Sequence, residues 1–162
     1  MACQIIDNFL PDKEFSKLRD VILNPNFPWN LAPIVSNQEE NLPITGSYYF
    51  THQFWAGFQI EQESQIFAPI LNEIECKSII RIKANLYPST ETIIHDEDHI
   101  DYPFPHRGAI FYLNTNNGLT VIGDNEVESV ENRLLLFDPS VPHHSTTCSD
   151  DKCRVNVNFN FF

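Results

Sequence analysis

The chain has 162 residues, the size of one domain, and 42 % of them are hydrophobic, which suits a packed core and argues against disorder. It carries 22 acidic against 10 basic side chains, a net charge of −12, so a basic nucleic-acid footprint is excluded. No run of about 18 apolar residues is present, so no spanning helix is expected. The opening MACQIIDNFLPDKEF has no basic segment followed by a long apolar run, so no secretory leader is expected either. The four cysteines, Cys3, Cys76, Cys148 and Cys153, match no zinc framework. Cys148 and Cys153 are near enough in sequence to pair, but free thiols in a reducing, cytoplasmic compartment are the expectation.

In chain order, residues 3–9 read as a short opening strand. Phe15, Leu18, Val21 and Ile22 recur at helical spacing, which predicts an amphipathic helix over residues 12–23. Residues 28–58 hold three prolines and many aromatics and read as loops and irregular strands. A second helix is predicted over 61–75, with Ile66, Ile70, Leu71 and Ile74 on one face and Pro69 either interrupting it or marking a late start. From residue 78 onward the pattern turns to short strands: 78–87, 108–114, 119–122, 126–130, 133–138 and 154–161. Asn116-Asn117-Gly118, Gly123-Asp124-Asn125 and Asp138-Pro139 supply turn signals between them. This spacing predicts a mainly β sandwich or barrel rather than a βαβ sheet. In the last strand Val155, Val157, Phe159 and Phe161 alternate with Arg154, Asn156, Asn158 and Asn160, so its polar face meets either solvent or a polar cavity.

Histidines and acids gather in two places: His95 to His106, then His143 and His144. His99-Ile100-Asp101 is a His-x-Asp step, and residues two apart on a strand point to the same side. His143 or His144, 42–45 residues on, can complete a face of two imidazoles and one carboxylate. That face leaves open positions and suits non-haem Fe(II). A second such step, His95-Asp96-Glu97, lies four residues earlier; His95 reads better as a loop or pocket-rim residue. Arg154 opens the last strand eleven residues after His143 and can hold a carboxylate by a bidentate fork. Asn85 and Tyr87 share one face of the strand leading into the histidine-rich loop. Surface histidines on a solvated acidic loop are the plainer alternative.

The run HIDYPFPHRGAIFYLNTNNGLTVIGDNEVESVENRLLLFDPSVPHHSTTCSDDKCRVNVNFNF resembles the 2-oxoglutarate- and Fe(II)-dependent dioxygenase superfamily. Within it the run is most similar to small prolyl-hydroxylase-like proteins of bacteria and marine phages. The shared texture is His-x-Asp, a strand ending in Tyr-x-Asn, an Asn-Gly-x-Thr turn, Asn-Arg before an apolar strand, Phe-Asp, then His and Arg. The opening IIDNFLPDKEF is similar too, so the resemblance covers residues 4–162 and is strongest over 81–162. It implies one domain over 1–162: a double-stranded β-helix of jelly-roll or cupin-like type, with barrel strands over 78–162 and two supporting helices in 1–77. It implies Fe(II) on His99, Asp101 and His143, the last preferred to His144 by its spacing to Arg154. It implies 2-oxoglutarate bound by Arg154, with Asn85, Tyr87, Tyr112 and Asn156 as further contacts, although Tyr87 stands twelve residues before His99, more than the Asn-x-Tyr branch has.

The reaction implied is oxidative decarboxylation of 2-oxoglutarate by O2, coupled to hydroxylation of a substrate. The carboxylate of Asp101 fills the position a halide would need. Peptidyl proline or another protein side chain is the first substrate implied; a free amino acid or small metabolite comes next, and the net charge disfavours a nucleobase. Residues 28–58, with Trp29, Tyr48, Tyr49 and Trp55, and the loop 95–101 would border the substrate, unless those aromatics are core. The setting implied is the cytoplasm of a bacterium or phage-infected host. A cupin-like metal-binding module without turnover is the alternative reading.

Overall fold

A computed structural model describes residues 3–33, 48–57 and 59–162. Eleven strands and two α-helices follow in the order β1 (Gln4–Ile6), α1 (Asp12–Ile22), β2 (Asn30–Pro33), β3 (Tyr48–Ala56), β4 (Gln59–Ile60), α2 (Ala68–Glu73), β5 (Ile79–Pro88), β6 (Arg107–Tyr112), β7 (Asn116–Ile122), β8 (Asn125–Ser129), β9 (Leu134–Phe137), β10 (His143–Ser145) and β11 (Cys153–Phe161). The larger sheet runs β1-β9-β6-β11-β5-β3-β2, with β4 beside β3; the smaller runs β10-β7-β8. Every ladder is antiparallel. The architecture is the mainly β jelly roll expected.

Period-two alternation divides the larger sheet into two working faces. Ile82, Ala84, Ala109, Phe111, Leu134, Leu136, Val155, Val157, Phe159 and Phe161 point outward and are buried beneath the helices. Phe15 of α1 meets Phe111 edge-on at 6.0 Å, and Phe67, just before α2, meets Phe159 at 5.4 Å. The inward face carries Ile110, Tyr112, Leu135 and Phe137, which form a second cluster with Ile122 and Val127 of the smaller sheet.

Two details, Val21 and Asn116-Asn117-Gly118, depart from the sequence-based expectation, and two others give it definite form. Val21 lies exposed, because Phe15, Leu18 and Ile22 already fill the buried face of α1. The second helix is split: a 3-10 segment, Gln62–Phe67, precedes α2, and Pro69 sits in the first turn of α2, where its missing N–H costs nothing. Within 28–58 the structure holds β2 and a nine-residue β3, whose register against β5 shifts between Gln53 and Trp55; residues 34–47 and 58 lie outside the described residues. That bulge hid the strand's bounds by breaking its alternation. Asn116-Asn117-Gly118 does not turn the chain but opens β7 with a register irregularity.

Asn132 is the residue that fastens the N-terminal segment. It adopts a positive φ of 58°, its Oδ1 accepts from the Leu10 N–H at 2.9 Å, and its Nδ2 donates to the Leu10 carbonyl at 2.8 Å. Next to it, Arg133 pairs with Asp7. All four cysteines are free thiols. No helix among the described residues is long and apolar enough to cross a membrane.

Candidate metal and cosubstrate site

The loop from β5 to β6 crosses the barrel mouth and pairs with β10. His99 and His143 exchange backbone hydrogen bonds of 2.9 and 3.0 Å, and their rings lie 4.6 Å apart. Asp101 follows two residues after His99. Ligand atoms of His99, Asp101 and His143 all lie within 4.8 Å of one another. His143 Nδ1 donates to the Val141 carbonyl at 2.9 Å, so the neutral ring presents a bare Nε2, the form a metal needs. Burial and the neighbouring His143 hold the His99 imidazole below its ordinary value, again favouring the neutral ligand.

His144 turns the other way, as its place on β10 requires. Its Nδ1 donates to Asp98 at 2.7 Å, and its Nε2 lies 3.0 Å from His95 Nδ1. His95 and His144 thus occupy the rim, outside the converging trio.

Asp101 is held by residues the sequence reading did not single out. Arg81 Nη2 donates to its Oδ1 at 2.7 Å, and Asn160 Nδ2 donates to its Oδ2 at 2.8 Å. Asn160 is itself oriented from two sides, accepting from Arg81 Nε at 3.1 Å and donating to His106 Nε2 at 3.1 Å. Burial raises the Asp101 carboxyl, but Arg81, Asn160 and His143 outweigh it and bring it to about 2. The carboxylate is therefore ionised and aimed before any cation arrives.

Arg154 is fully buried, behind the pocket-lining Thr120 and Tyr87. Its Nε donates to Ser129 Oγ at 2.6 Å, its Nη2 to Thr120 Oγ1 at 2.7 Å and its Nη1 to the Thr146 carbonyl at 3.3 Å. The guanidinium lies 5.3 Å over the Tyr87 ring and 5.8 Å over that of Tyr112, whose hydroxyl donates to Thr120 at 2.8 Å. Among the described residues no carboxylate pairs with it within 4.0 Å. A buried cation with only neutral partners is costly unless an anion joins it. Gly118 makes the space: a Cβ there would stand 2.5 Å from Arg154 Cδ and 2.9 Å from the Thr147 carbonyl.

Between these two groups, β5 and β11 line up polar side chains in register: Tyr87 with Arg154, Asn85 with Asn156, Lys83 with Asn158 and Arg81 with Asn160. The polar face of β11 thus looks into a cavity, not solvent. Asn85 Nδ2 donates to Asn156 Oδ1 at 3.0 Å, while Asn85 Oδ1, Asn156 Nδ2 and Asn158 Oδ1 are buried without a partner among the described residues. All three residues line the pocket shared with His99, Asp101, His143, Thr120 and Tyr87. Orphaned polar atoms cost about 1–3 kcal/mol each. Their concentration here fits a site made for a polar ligand. Asp96 also lines the pocket; burial lifts its carboxyl to about 6 against the pull of Arg154 and His144.

Of the other aromatics, Tyr49 lines the pocket and stacks on Tyr87 at 5.2 Å, Trp29 and Trp55 pack on the outer core, and Tyr48 is exposed. The signal for Arg81 and Lys83 was present in the sequence: they alternate with Ile82 and Ala84 on the face that carries Asn85 and Tyr87.

Solved structures share this arrangement of strands along nearly the whole chain. A prolyl-4-hydroxylase from Pseudomonas putida superposes with a TM-score of 0.60 at 16 % identity, covering 98 % of this chain and 91 % of that one. A 2-oxoglutarate/Fe(II) oxygenase-family oxidoreductase from Burkholderia pseudomallei gives 0.67 at 9 % identity, covering 98 % and 84 %. The fold is that of the 2-oxoglutarate/Fe(II) oxygenases. A Trichoplax adhaerens prolyl hydroxylase, solved with a peptide from the oxygen degradation domain of hypoxia inducible factor, shares it too, with a TM-score of 0.65 at 16 % identity over 98 % and 83 %. No protein-family model matches the chain, and a search of curated proteins finds no match.

Proposed function

We propose that the protein is a non-haem Fe(II)- and 2-oxoglutarate-dependent dioxygenase that hydroxylates its substrate, with one domain over 1–162 and a cytoplasmic setting. The observation that carries this reading is a two-histidine, one-carboxylate cluster in a pocket whose other lining residues include Thr120 and Tyr87, with the buried, carboxylate-free Arg154 directly behind these two. His99, Asp101 and His143 would hold the cation, and Arg154 the far carboxylate of 2-oxoglutarate. Asn156, Tyr87 and Asn85 would make further contacts with the cosubstrate; the unpartnered Asn156 Nδ2 and their shared pocket support this. Tyr112 acts at one remove, by holding Thr120 against the guanidinium.

When bound, Fe(II) supplies the oxygen activation: one atom of O2 goes to succinate, with loss of carbon dioxide, and the other to a substrate C–H bond. The chain's own work is positional. Arg81 and Asn160 aim Asp101, the Val141 carbonyl sets the His143 tautomer, and the tyrosine wall keeps water from the Arg154 end. The fold neighbours support a peptide side chain, proline first, as the substrate, since two of them are prolyl hydroxylases and one holds a peptide.

The test is release of succinate from 2-oxoglutarate by the purified protein supplied with Fe(II) and oxygen. We expect iron-dependent succinate and its loss, by a factor of 100 or more (about 2.7 kcal/mol) in Asp101→Ala. Iron binding without succinate would instead favour a cupin-like metal-binding module.

A further inference from the structure

Lys83 has no role in the scheme above. It lines the pocket with His99 and Asp101. It forms no hydrogen bond and no ion pair within 4.0 Å among the described residues. The ammonium stands 5.6 Å over the Tyr49 ring. Tyr49 stacks on Tyr87 at 5.2 Å with 9° between the planes, and Arg154 lies 5.3 Å over Tyr87. Two cations therefore bracket a pair of stacked tyrosines.

Neither pocket carboxylate pairs directly with Lys83 within 4.0 Å. Asp101 is taken by Arg81 at 2.7 Å, and Asp96 acts on Tyr49, Tyr87 and the Arg154 end. Burial and the Arg81 charge bring the Lys83 ammonium down to about 8, with Asp101 pulling the other way, so it remains mostly charged at pH 7. A second anion at this point would complete it.

Cosubstrate is not the occupant in this scheme. With one carboxylate on Arg154 and the other at the metal, 2-oxoglutarate has none left for Lys83.

We infer that Lys83 is the anchor for a carboxylate of the substrate, placed beside the carbon that is oxidised. The inference rests on the oxygenase reading and narrows it. The substrate is an acid at that point, either a peptide with an acidic residue next to the modified one or a free amino acid.

The test uses the protein with diamagnetic, redox-inert Zn(II) and 2-oxoglutarate under nitrogen, so that binding is read without turnover. Lysines are reductively methylated with carbon-13, which keeps their charge, and the Lys83 signal is assigned by its absence from Lys83→Met. The probes are blocked pentapeptides with proline flanked by Asp, the same peptides with Asn, free L-proline and L-prolinamide; calorimetry gives affinities. We expect the Asp peptide or free proline to move the Lys83 signal, to bind at least ten-fold better than its neutral counterpart, and to lose that advantage in Lys83→Met but keep part of it in Lys83→Arg. A response to the Asp peptide assigns a peptide substrate, and a response to proline a free amino acid. Equal binding of acid and neutral probes, no shift with any probe, or a ten-fold loss of 2-oxoglutarate affinity in Lys83→Met overturns the assignment. Binding of 2-oxoglutarate to the wild type is read first. Its absence overturns the oxygenase reading itself, and the Lys83 assignment with it.

Discussion

Asp101 and Arg154 carry opposite charges, yet the fold treats them alike: each is buried, and each is held by short bonds from neutral or oppositely charged side chains before a ligand arrives. For Asp101 this has a consequence for acid stability. Its carboxyl sits at about 2 in the folded protein, against an ordinary 3.8, because Arg81 and Asn160 outweigh burial. A depressed carboxylate stabilises the fold above its unfolded value, and that stability disappears as pH falls through the window from 3.8 towards 2. The contribution is about 2 kcal/mol. Urea unfolding of metal-free protein should therefore show wild type exceeding Asp101→Asn by about that amount at pH 6, with the gap shrinking below pH 3.8 and closing only below pH 2; a gap independent of pH would contradict it.

At the other end, Gly118 is needed for space, not for its backbone freedom. A methyl group at 2.5 Å from Arg154 Cδ must displace the guanidinium or the Thr147 carbonyl. Gly118→Ala is expected to raise the 2-oxoglutarate KM ten-fold or more with the metal affinity within a factor of about two, read by succinate release and by Mn(II) titration. An unchanged KM would show that the pocket tolerates a shifted Arg154.

Among the elements, β11 does the most. Its two faces are both buried, one against the helices and one in the pocket, so a single strand ties core packing to site geometry. Phe159 lies on the core face between Asn158 and Asn160, the latter a donor to Asp101. Phe159→Ala should cost about 3–5 kcal/mol of stability. It should also weaken Mn(II) binding, because the cavity lets β11 move beneath Asn160. Denaturant unfolding and metal titration on the same sample check both, and full metal affinity in the destabilised variant would separate the two faces. The alternation Arg154-Val155-Asn156-Val157 is visible in the sequence and was enough to divide this strand. The nine-residue β3 was read only as irregular strand without bounds, since its bulge near Phe54 breaks the period and its aromatics lie on both faces.

Taken together, the chain is an acidic protein whose pocket is a minority region of cations. Arg81, Lys83 and Arg154 line or underlie it, while the net charge is −12. Spacing offered the His-x-Asp step with His143 or His144 as its distant partner, and the family resemblance preferred His143. Register gives the physical reason for that preference: consecutive residues on β10 face opposite ways, and only His143 lies opposite His99. That Arg81, Asn160 and His106 converge around Asp101 was not legible, for nothing in one dimension says that strands β5 and β11 pair with Arg81 opposite Asn160.

The most direct measurement is an anaerobic titration of the protein with Fe(II) and then 2-oxoglutarate, watching for the weak visible charge-transfer band of the chelate. A saturable band, absent from Asp101→Ala and shifted to higher 2-oxoglutarate concentration in Arg154→Ala, is the result expected. A folded protein that binds iron at this site and gives no band with 2-oxoglutarate would contradict the dioxygenase reading.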